Sequence, residues 1–412
     1  MAMDGFTLSF VTREMSALLV GGRVDKVSQP EKDTLLLLVR SQGGNHRLLL
    51  CANANHARMQ TTKEAYENPA DAPMFCMLAR KHLVGARILD IRQLGGDRVV
   101  LLTLEGIGEL GDRVEKRIYL EIMGRYSNLT LTDASDTILD AIRHVNPEMS
   151  RVRTVLPGGH YELPPQQHKL DPAALDVSAL TERMQALNCP LDKGLIECVA
   201  GMAGQAAREV CAQVGLDHAT PCSQLDWSVA GPLLADFYTS LPTRTKPVTL
   251  YDEAGLALDY FPFPYLTFDP ARQRPSATLS EAMDGYYLGR DVHLRMQQRS
   301  QSLQRTIKNA IERCEKKKAL YLDALQSKEK TEQYRIFGEL LTANLHAIDK
   351  GQESVELLNY YDEQQATVTI PLAPQLTPAK NAQQYYKKYR KGIQAEQYAQ
   401  EQMGKVEAEL TL

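Results

Sequence analysis

Residues 95–133, GGDRVVLLTLEGIGELGDRVEKRIYLEIMGRYSNLTLTD, decide how this chain is read. They spell two hairpins. The first pairs Arg87 to Leu94 with Val99 to Leu104, both aliphatic and β-branched, and the two glycines between them permit the positive φ that a tight connection needs. The second pairs Lys116 to Met123 with Asn128 to Thr132. Along its first strand Ile118, Leu120 and Ile122 alternate with Arg117, Tyr119 and Glu121, which predicts one buried face and leaves Glu121 toward water or a partner. The turns Gly95-Gly96-Asp97-Arg98 and Gly124-Arg125-Tyr126-Ser127 then place opposite charges on one rim. As turn chemistry alone, an Asp-Arg pair beside a double glycine is an ordinary solvated turn.

Upstream, Phe6, Phe10, Met15, Leu18 and Leu19 fall on one face of a helix over Phe6 to Val20, which Gly21-Gly22 stops. Strands follow at Arg23 to Ser28, Thr34 to Arg40 and His46 to Cys51, separated by turn residues. A short helix, Pro73 to Leu83, is expected to direct Met74, Met77, Leu78 and Leu83 inward. With the two hairpins this makes a mainly antiparallel unit.

Downstream, Leu156 to Pro172 holds too many prolines and glycines for a regular element and reads as a linker. Pro172 to Tyr238 is helical in short pieces. Within it Val199 to Val210 resembles a helix-hairpin-helix whose second glycine is replaced by Ala203, so a plain helical hairpin and a phosphate-binding one both fit. Pro247 to Tyr251 and Leu256 to Phe261 form a hairpin that joins the first sheet or packs on the helical unit. From Thr278 a long helical arm begins, with Leu303, Ile307, Ala310, Cys314, Tyr321 and Ala324 in a 4-3-4 rhythm. A returning arm carries Tyr389, Ile393, Met403, Val406 and Leu410. Between the arms Val355 to Tyr361 and Ala366 to Leu372 make a small β module. Two basic clusters, Lys316-Lys317-Lys318 and Lys387-Lys388-Tyr389-Arg390-Lys391, are solvated helix faces or contacts to an acidic partner.

The whole is an α+β chain of 412 residues, 43% hydrophobic and 24% charged, long enough for two or three cored units. A net charge of −4 excludes a uniformly basic nucleic-acid binder, so any RNA contact must be local. The seven cysteines include no Cys-x-x-Cys pair, which argues against zinc and against a disulfide framework. No Ser/His/Asp set or metal cluster stands at usable spacing, and Gly158-Gly159 lacks a following lysine, so binding rather than catalysis is expected, without metal or cofactor. The start, Met-Ala-Met-Asp-Gly, carries no signal-peptide pattern and no uncharged stretch is long enough to span a bilayer, which predicts a cytoplasmic protein without membrane partners.

Three stretches carry a family resemblance. Asp97-Arg98, Glu121-Ile122-Met123-Gly124-Arg125-Tyr126-Ser127-Asn128 and Asn381-Ala382-Gln383-Gln384-Tyr385-Tyr386-Lys387-Lys388-Tyr389 resemble signatures of the NFACT family, also called RqcH or Rqc2 and earlier fibronectin-binding protein A. Asp4-Gly5 and Leu279 to Tyr287 add to the likeness. The resemblance implies an N-terminal NFACT-N unit over 1–171 similar to the formamidopyrimidine-DNA glycosylase N-terminal fold, a helix-hairpin-helix unit over 172–240, a returning hairpin over 241–277, and an antiparallel coiled coil over 278–412 with a middle module near 335–385. It also implies a factor that binds the obstructed large ribosomal subunit and recruits tRNA, alanyl-tRNA in bacteria, for C-terminal alanine tailing of stalled chains. Asp4, Asp97, Arg98, Glu121, Ile122, Met123, Gly124, Arg125 and Asn128 would then meet tRNA. Lys387, Lys388, Arg390 and Lys391, with Lys316, Lys317 and Lys318, would meet the ribosome. The family's older name leaves a fibronectin-binding adhesin as the alternative. Two departures stand out: the chain has no N-terminal proline nucleophile, so base excision is not expected, and it ends at Leu412 with no room for the family's C-terminal RNA-binding domain.

Overall fold

The structure is a computed structural model that describes residues 3–108, 111–165 and 167–411. It divides into two compact units, Met1–Val292 and His293–Leu412.

The first unit is built around helix α1 (Gly5–Leu19), which starts where the Asp4 carboxylate accepts Thr7 N at 2.8 Å and ends before Gly21, at φ +84°. Leu8, Met15 and Leu19 are fully buried on it. They pack against a nine-stranded sheet of β1 (Arg23–Glu31), β2 (Thr34–Ser41), β3 (Gly44–Cys51) and β4 (Arg58–Thr61), then, after helix α2 (Met74–Leu83), β5 (Arg87–Gln93), β6 (Val99–Ile107), β7 (Arg113–Glu121), β8 (Asn128–Asp133) and β9 (Ile138–Ala141). The order is β4-β3-β2-β1-β5-β6-β7-β8-β9, antiparallel throughout. The expected hairpins are present. On α2, however, Met74 and Met77 are exposed, and the inward stripe is Phe75, Cys76, Ala79 and Leu83. A second apolar phase one residue on offers the larger ring to the core.

The sheet is also buried on its second face. Residues 142–165 fold back over it, with Val145 paired to Val155 and Thr137 to His160, and Val155 and Tyr161 join Val99, Leu101, Tyr119, Ile138 and Ala141 in a small second core. The segment after Leu156 is thus a cover before it is a linker. Helices α3 (Val177–Gln185), α4 (Leu191–Cys198), α5 (Gly204–Gln213) and α6 (Trp227–Ser240) follow. The next hairpin does not extend the large sheet: β10 (Val248–Tyr251), β11 (Ala257–Phe261) and β12 (Gln273–Pro275) form a separate sheet in the order β11-β10-β12. Its side of the core runs into that of α1, where Phe263 lies 6.3 Å from Phe6 and 5.9 Å from Phe10, ring edge to face. Helix α7 (Leu279–Gln326) begins on the same body. The Glu14 carboxylate of α1 accepts Leu279 N at 2.7 Å and Ser280 N at 3.1 Å, an anion at the positive end of the helix.

In the second unit the remainder of α7 leads to α8 (Lys328–Ala343), a hairpin of β13 (Ser354–Leu358) and β14 (Thr367–Pro371), and α9 (Pro378–Thr411). Phe337, Leu341, Ile370, Ala382 and Tyr385 make its core. Helix α9 returns antiparallel to α8 and the end of α7: the Tyr386 ring lies over Gly338, Gly392 faces Thr331, Tyr398 meets Tyr321 at 6.1 Å and Glu407 pairs with Lys318 at 3.2 Å. Cys314 is buried in this seam, but Leu303 and Ile307 are 63% and 57% exposed. The apolar rhythm therefore overstates the seam, because no described helix packs on α7 at those two turns.

Candidate functional site

Val99 of β6 pairs with Glu121 of β7, so the turn that enters β6 and the turn that leaves β7 lie at the same end of the sheet, and Ile122 N donates to Arg98 O at 2.8 Å. The two charged turns do share a rim. The first is held from behind by Gln93, whose Nε2 donates to Gly5 O, Gly96 O and Asp97 O at 2.9, 3.0 and 2.8 Å. Gly95 and Gly96 take φ of +56° and +70°. Asp97 Oδ1 accepts Arg98 N at 2.6 Å, and both side chains remain half-buried. Beneath them sits Asp4. Burial pushes its carboxyl above the usual range, while the Thr7 hydrogen bonds and the nearby Arg98 charge pull it down.

The α4–α5 turn closes against the same point. Gly201, at φ +75°, gives its carbonyl to Phe6 N at 3.0 Å and has its backbone against Gly5 and Gly96. Its glycine geometry is used in packing.

The second turn is a single 3-10 turn, Gly124–Tyr126, opened by Gly124 at φ +57° and locked by Met123 N donating to Ser127 Oγ at 2.8 Å. Arg125 is exposed. Its guanidinium lies 4.7 Å from the Tyr126 ring centre and donates to the Tyr126 hydroxyl at 2.6 Å. Arg143 donates to the Arg125 carbonyl, and Asn128 fixes Arg143 in turn, accepting its N–H at 3.1 Å and donating to its carbonyl at 2.9 Å.

Glu121 is the main correction. It is fully buried, not solvent-facing: Arg153 donates to both carboxylate oxygens, through Nη1 to Oε1 at 2.9 Å and through Nη2 to Oε2, and Tyr161 OH donates to Oε1 at 2.8 Å. The cause is the covering segment, which brings Tyr161 into a stack on Tyr119 at 3.9 Å. A carboxylate so enclosed must be paired, and it is. Ile122 is also buried, in the main core; Asn128 is buried and bonded to backbone; Met123 is half-buried against the second core. The nine candidates thus separate by exposure. Arg125 is exposed, Asp4, Asp97 and Arg98 are half-buried together at the first turn, Met123 and Gly124 are half-buried at the second, and Glu121, Ile122 and Asn128 hold the rim from inside.

Sequence reasoning missed Gln93, Arg143, Arg153 and Tyr161. Arg153 is 32 positions from Glu121, in the covering segment after β9, which has no periodic pattern of its own to fix its register. The basic clusters lie in the second unit: Lys316, Lys317, Lys387, Arg390 and Lys391 are exposed, Lys318 is engaged by Glu407, and the Lys388 ammonium sits 4.9 Å from the Tyr385 ring centre and 5.4 Å from that of Tyr334.

Chemically, the rim offers a guanidinium over a phenol ring, a second guanidinium and a carboxylate. That set suits phosphates and splayed bases.

The sequence profile described as NFACT N-terminal and middle domains matches residues 4–412. The chain belongs to the NFACT family. It is 35% identical over 412 residues to the Rqc2 homolog RqcH of Bacillus subtilis (strain 168), covering 100% of this chain and 70% of that protein. A more distant relative is the ribosome quality control complex subunit NEMF of Mus musculus, 24% identical over 383 residues, 84% of this chain and 34% of that one. Among solved structures, the N-terminal part of the fibronectin/fibrinogen-binding protein from Streptococcus suis superposes with a TM-score of 0.60 at 32% identity, covering 69% of this NFACT chain and 99% of that one. The three signature stretches therefore lie within a family match that spans both units.

Proposed function

We propose that this chain is a ribosome quality control factor that associates with the large ribosomal subunit and reads tRNA with the Asp97, Arg98 and Arg125 rim. The observation that carries the reading is the shared rim itself. Two turns that the β6–β7 register brings together leave Arg125 exposed and Asp97 and Arg98 half-exposed, while Glu121, Ile122 and Asn128 are spent on holding them. The family and the quality-control relatives support the ribosomal setting. The finer role, bringing alanyl-tRNA for C-terminal tailing of stalled chains, follows from the family resemblance. The chain acts by binding and not by catalysis. We further infer that the α4–α5 hairpin is a helix-hairpin-helix turned to packing, that the α7–α9 arms work as a coiled coil, and that their exposed Lys387, Arg390 and Lys391 meet ribosomal RNA or protein.

The test is affinity purification from cells followed by sequencing of bound RNA, with the wild-type chain and the double variant Asp97→Ala with Arg98→Ala. The variant should keep its thermal transition and lose tRNA, since charged turn residues contribute little to stability. Unchanged tRNA recovery would sink the reading. Capture of fibronectin in place of ribosomal subunits would move the function to fibronectin binding, after which the Streptococcus suis protein is named.

A further inference from the structure

Behind the rim, α1 turns Ser9, Thr12, Arg13 and Ser16 into one cleft of about 500 Å³. These positions follow the i, i+3, i+4, i+7 spacing of a single helix face. A guanidinium and the Ser9 and Ser16 side chains thus line a space within the roughly 300–1,000 Å³ range of small-molecule sites. The opposite wall is apolar, with Ile91, Leu175, Leu241 and Pro242.

Two polar groups here have no partner. Arg13 Nε and Nη2 reach Ser9 O and Ser9 Oγ, both at 3.3 Å, and the guanidinium lies 4.8 Å from the Phe10 ring centre, yet Nη1 is buried with no acceptor. Thr12, only 5% exposed, has a buried hydroxyl with no bond at all. Among the described residues no carboxylate pairs with Arg13. Of the charged groups on the cleft wall, Arg92 pairs with Asp90 at 3.5 Å, and Asp171 is turned to its own backbone, accepting Ala173 N at 2.9 Å. Burial lowers the Arg13 proton affinity with no opposing charge to restore it. A partly desolvated cation without an anion is unfavourable in the empty cleft.

We propose that this cleft binds a phosphomonoester with an apolar or aromatic body, the phosphate taken by Arg13 and Ser16 and the body laid on the Ile91, Leu175 and Leu241 wall. A phosphate is favoured over a carboxylate because its three oxygens can take the Arg13 guanidinium through two nitrogens and the Ser16 hydroxyl one turn away at once. Small rotations of Arg13 about its outer torsions present Nη1 to the ligand. Gly96 and Gln93 also line the cleft, so an occupant would touch the support of the Asp97 turn without being part of the rim.

Calorimetric titration of the whole chain with adenosine 5′-monophosphate, inorganic phosphate and adenosine tests this. The monophosphate should bind more tightly than inorganic phosphate, and adenosine should bind weakest. Arg13→Met, which keeps an apolar side chain of similar length beside Phe10, should weaken monophosphate binding by about tenfold or more, and Ser16→Ala by less, since hydrogen bonds between two charged groups are the stronger ones. Without ligand, Arg13→Met should melt no lower than the parent. No monophosphate binding at millimolar concentration, equal binding of adenosine, or an unchanged affinity in Arg13→Met would overturn the proposal. A lowered melting temperature in Arg13→Met would make the guanidinium a structural group and overturn it as well. A loss confined to RNA capture would assign Arg13 to the rim's partner and not to a small ligand.

Discussion

Gly5 and Gly201 meet backbone to backbone: a Cβ built on Gly5 would stand 2.5 Å from the Gly201 Cα, and Phe6 N donates to Gly201 O at 3.0 Å. Side chains are excluded from this joint. Gly201→Ala would face both a φ of +75° and overlap with the Gly96 carbonyl, which is backbone and cannot swing aside. A loss of about 1–3 kcal/mol is expected, seen as a lower urea midpoint. An unchanged midpoint would mean that the α4–α5 turn parts freely from α1.

The buried Glu121 and the exposed Arg125 should separate stability from recognition. Arg153→Ala strands the Glu121 carboxylate without its cation, and a cost of about 3–5 kcal/mol is expected. Arg125→Ala should change stability by no more than about 0.5 kcal/mol while weakening tRNA capture. Chemical denaturation and RNA capture on the same two proteins give the comparison. A stable Arg153→Ala protein would remove the internal role assigned to Glu121.

Stability should fall on the alkaline side. Burial, with a hydrogen bond to Asp136, raises the Tyr119 hydroxyl to about 12, and burial raises Tyr287 to about 12, from an ordinary value of 10.0. The folded state keeps these protons longer than the unfolded state does. Their contribution is therefore complete below pH 10.0 and is lost as pH rises through about 12. Unfolding free energies measured on either side of that window should decline, together with a rise in phenolate absorbance. Tyr119→Phe should flatten part of the decline.

The two basic clusters of the second unit should differ. Reversing Lys387, Arg390 and Lys391 to Glu should weaken subunit binding more than reversing Lys316 and Lys317, and the wild-type interaction should fall with added salt as counterion release into the more concentrated solution becomes less favourable. Lys388 is left in place because it lies over Tyr334 and Tyr385 and its loss would disturb packing. Sedimentation with large subunits across a salt series measures both effects. Equal losses would place the contact elsewhere on the arms.

Much of the large sheet is legible because local chemistry decides it. Glycines at Gly95, Gly96 and Gly124 take the positive φ their turns need, and the period-two pattern from Ile118 to Ile122 marks the core face of β7. What is not legible depends on distant segments. Glu121 reads as solvent-facing until residues 142–165, which have no periodicity of their own, cover that face. Strands β4, β9 and β12 have four, four and three residues, too few to show a pattern. Leu303 and Ile307 fit the heptad rhythm and lie exposed, so rhythm alone does not supply a partner helix. At the candidate site the outward residues can be read from the signatures. Their internal supports, Gln93, Arg143, Arg153 and Tyr161, cannot, since each works through a contact that only the fold creates.

Gln93 offers two amide hydrogens to three carbonyls, those of Gly5, Gly96 and Asp97. The loop that carries Asp97 and Arg98 therefore has little slack left to lose. An arriving partner meets it already set, and the ordering cost of roughly 0.5–1.5 kcal/mol per immobilised side chain falls on the outer guanidiniums alone. On the tRNA-reading role proposed for the rim, capture is then expected to be governed by encounter and by charge, not by rearrangement. Gln93→Ala, which touches no partner, should act on arrival: the association rate falls, and the lifetime of the complex once formed changes little.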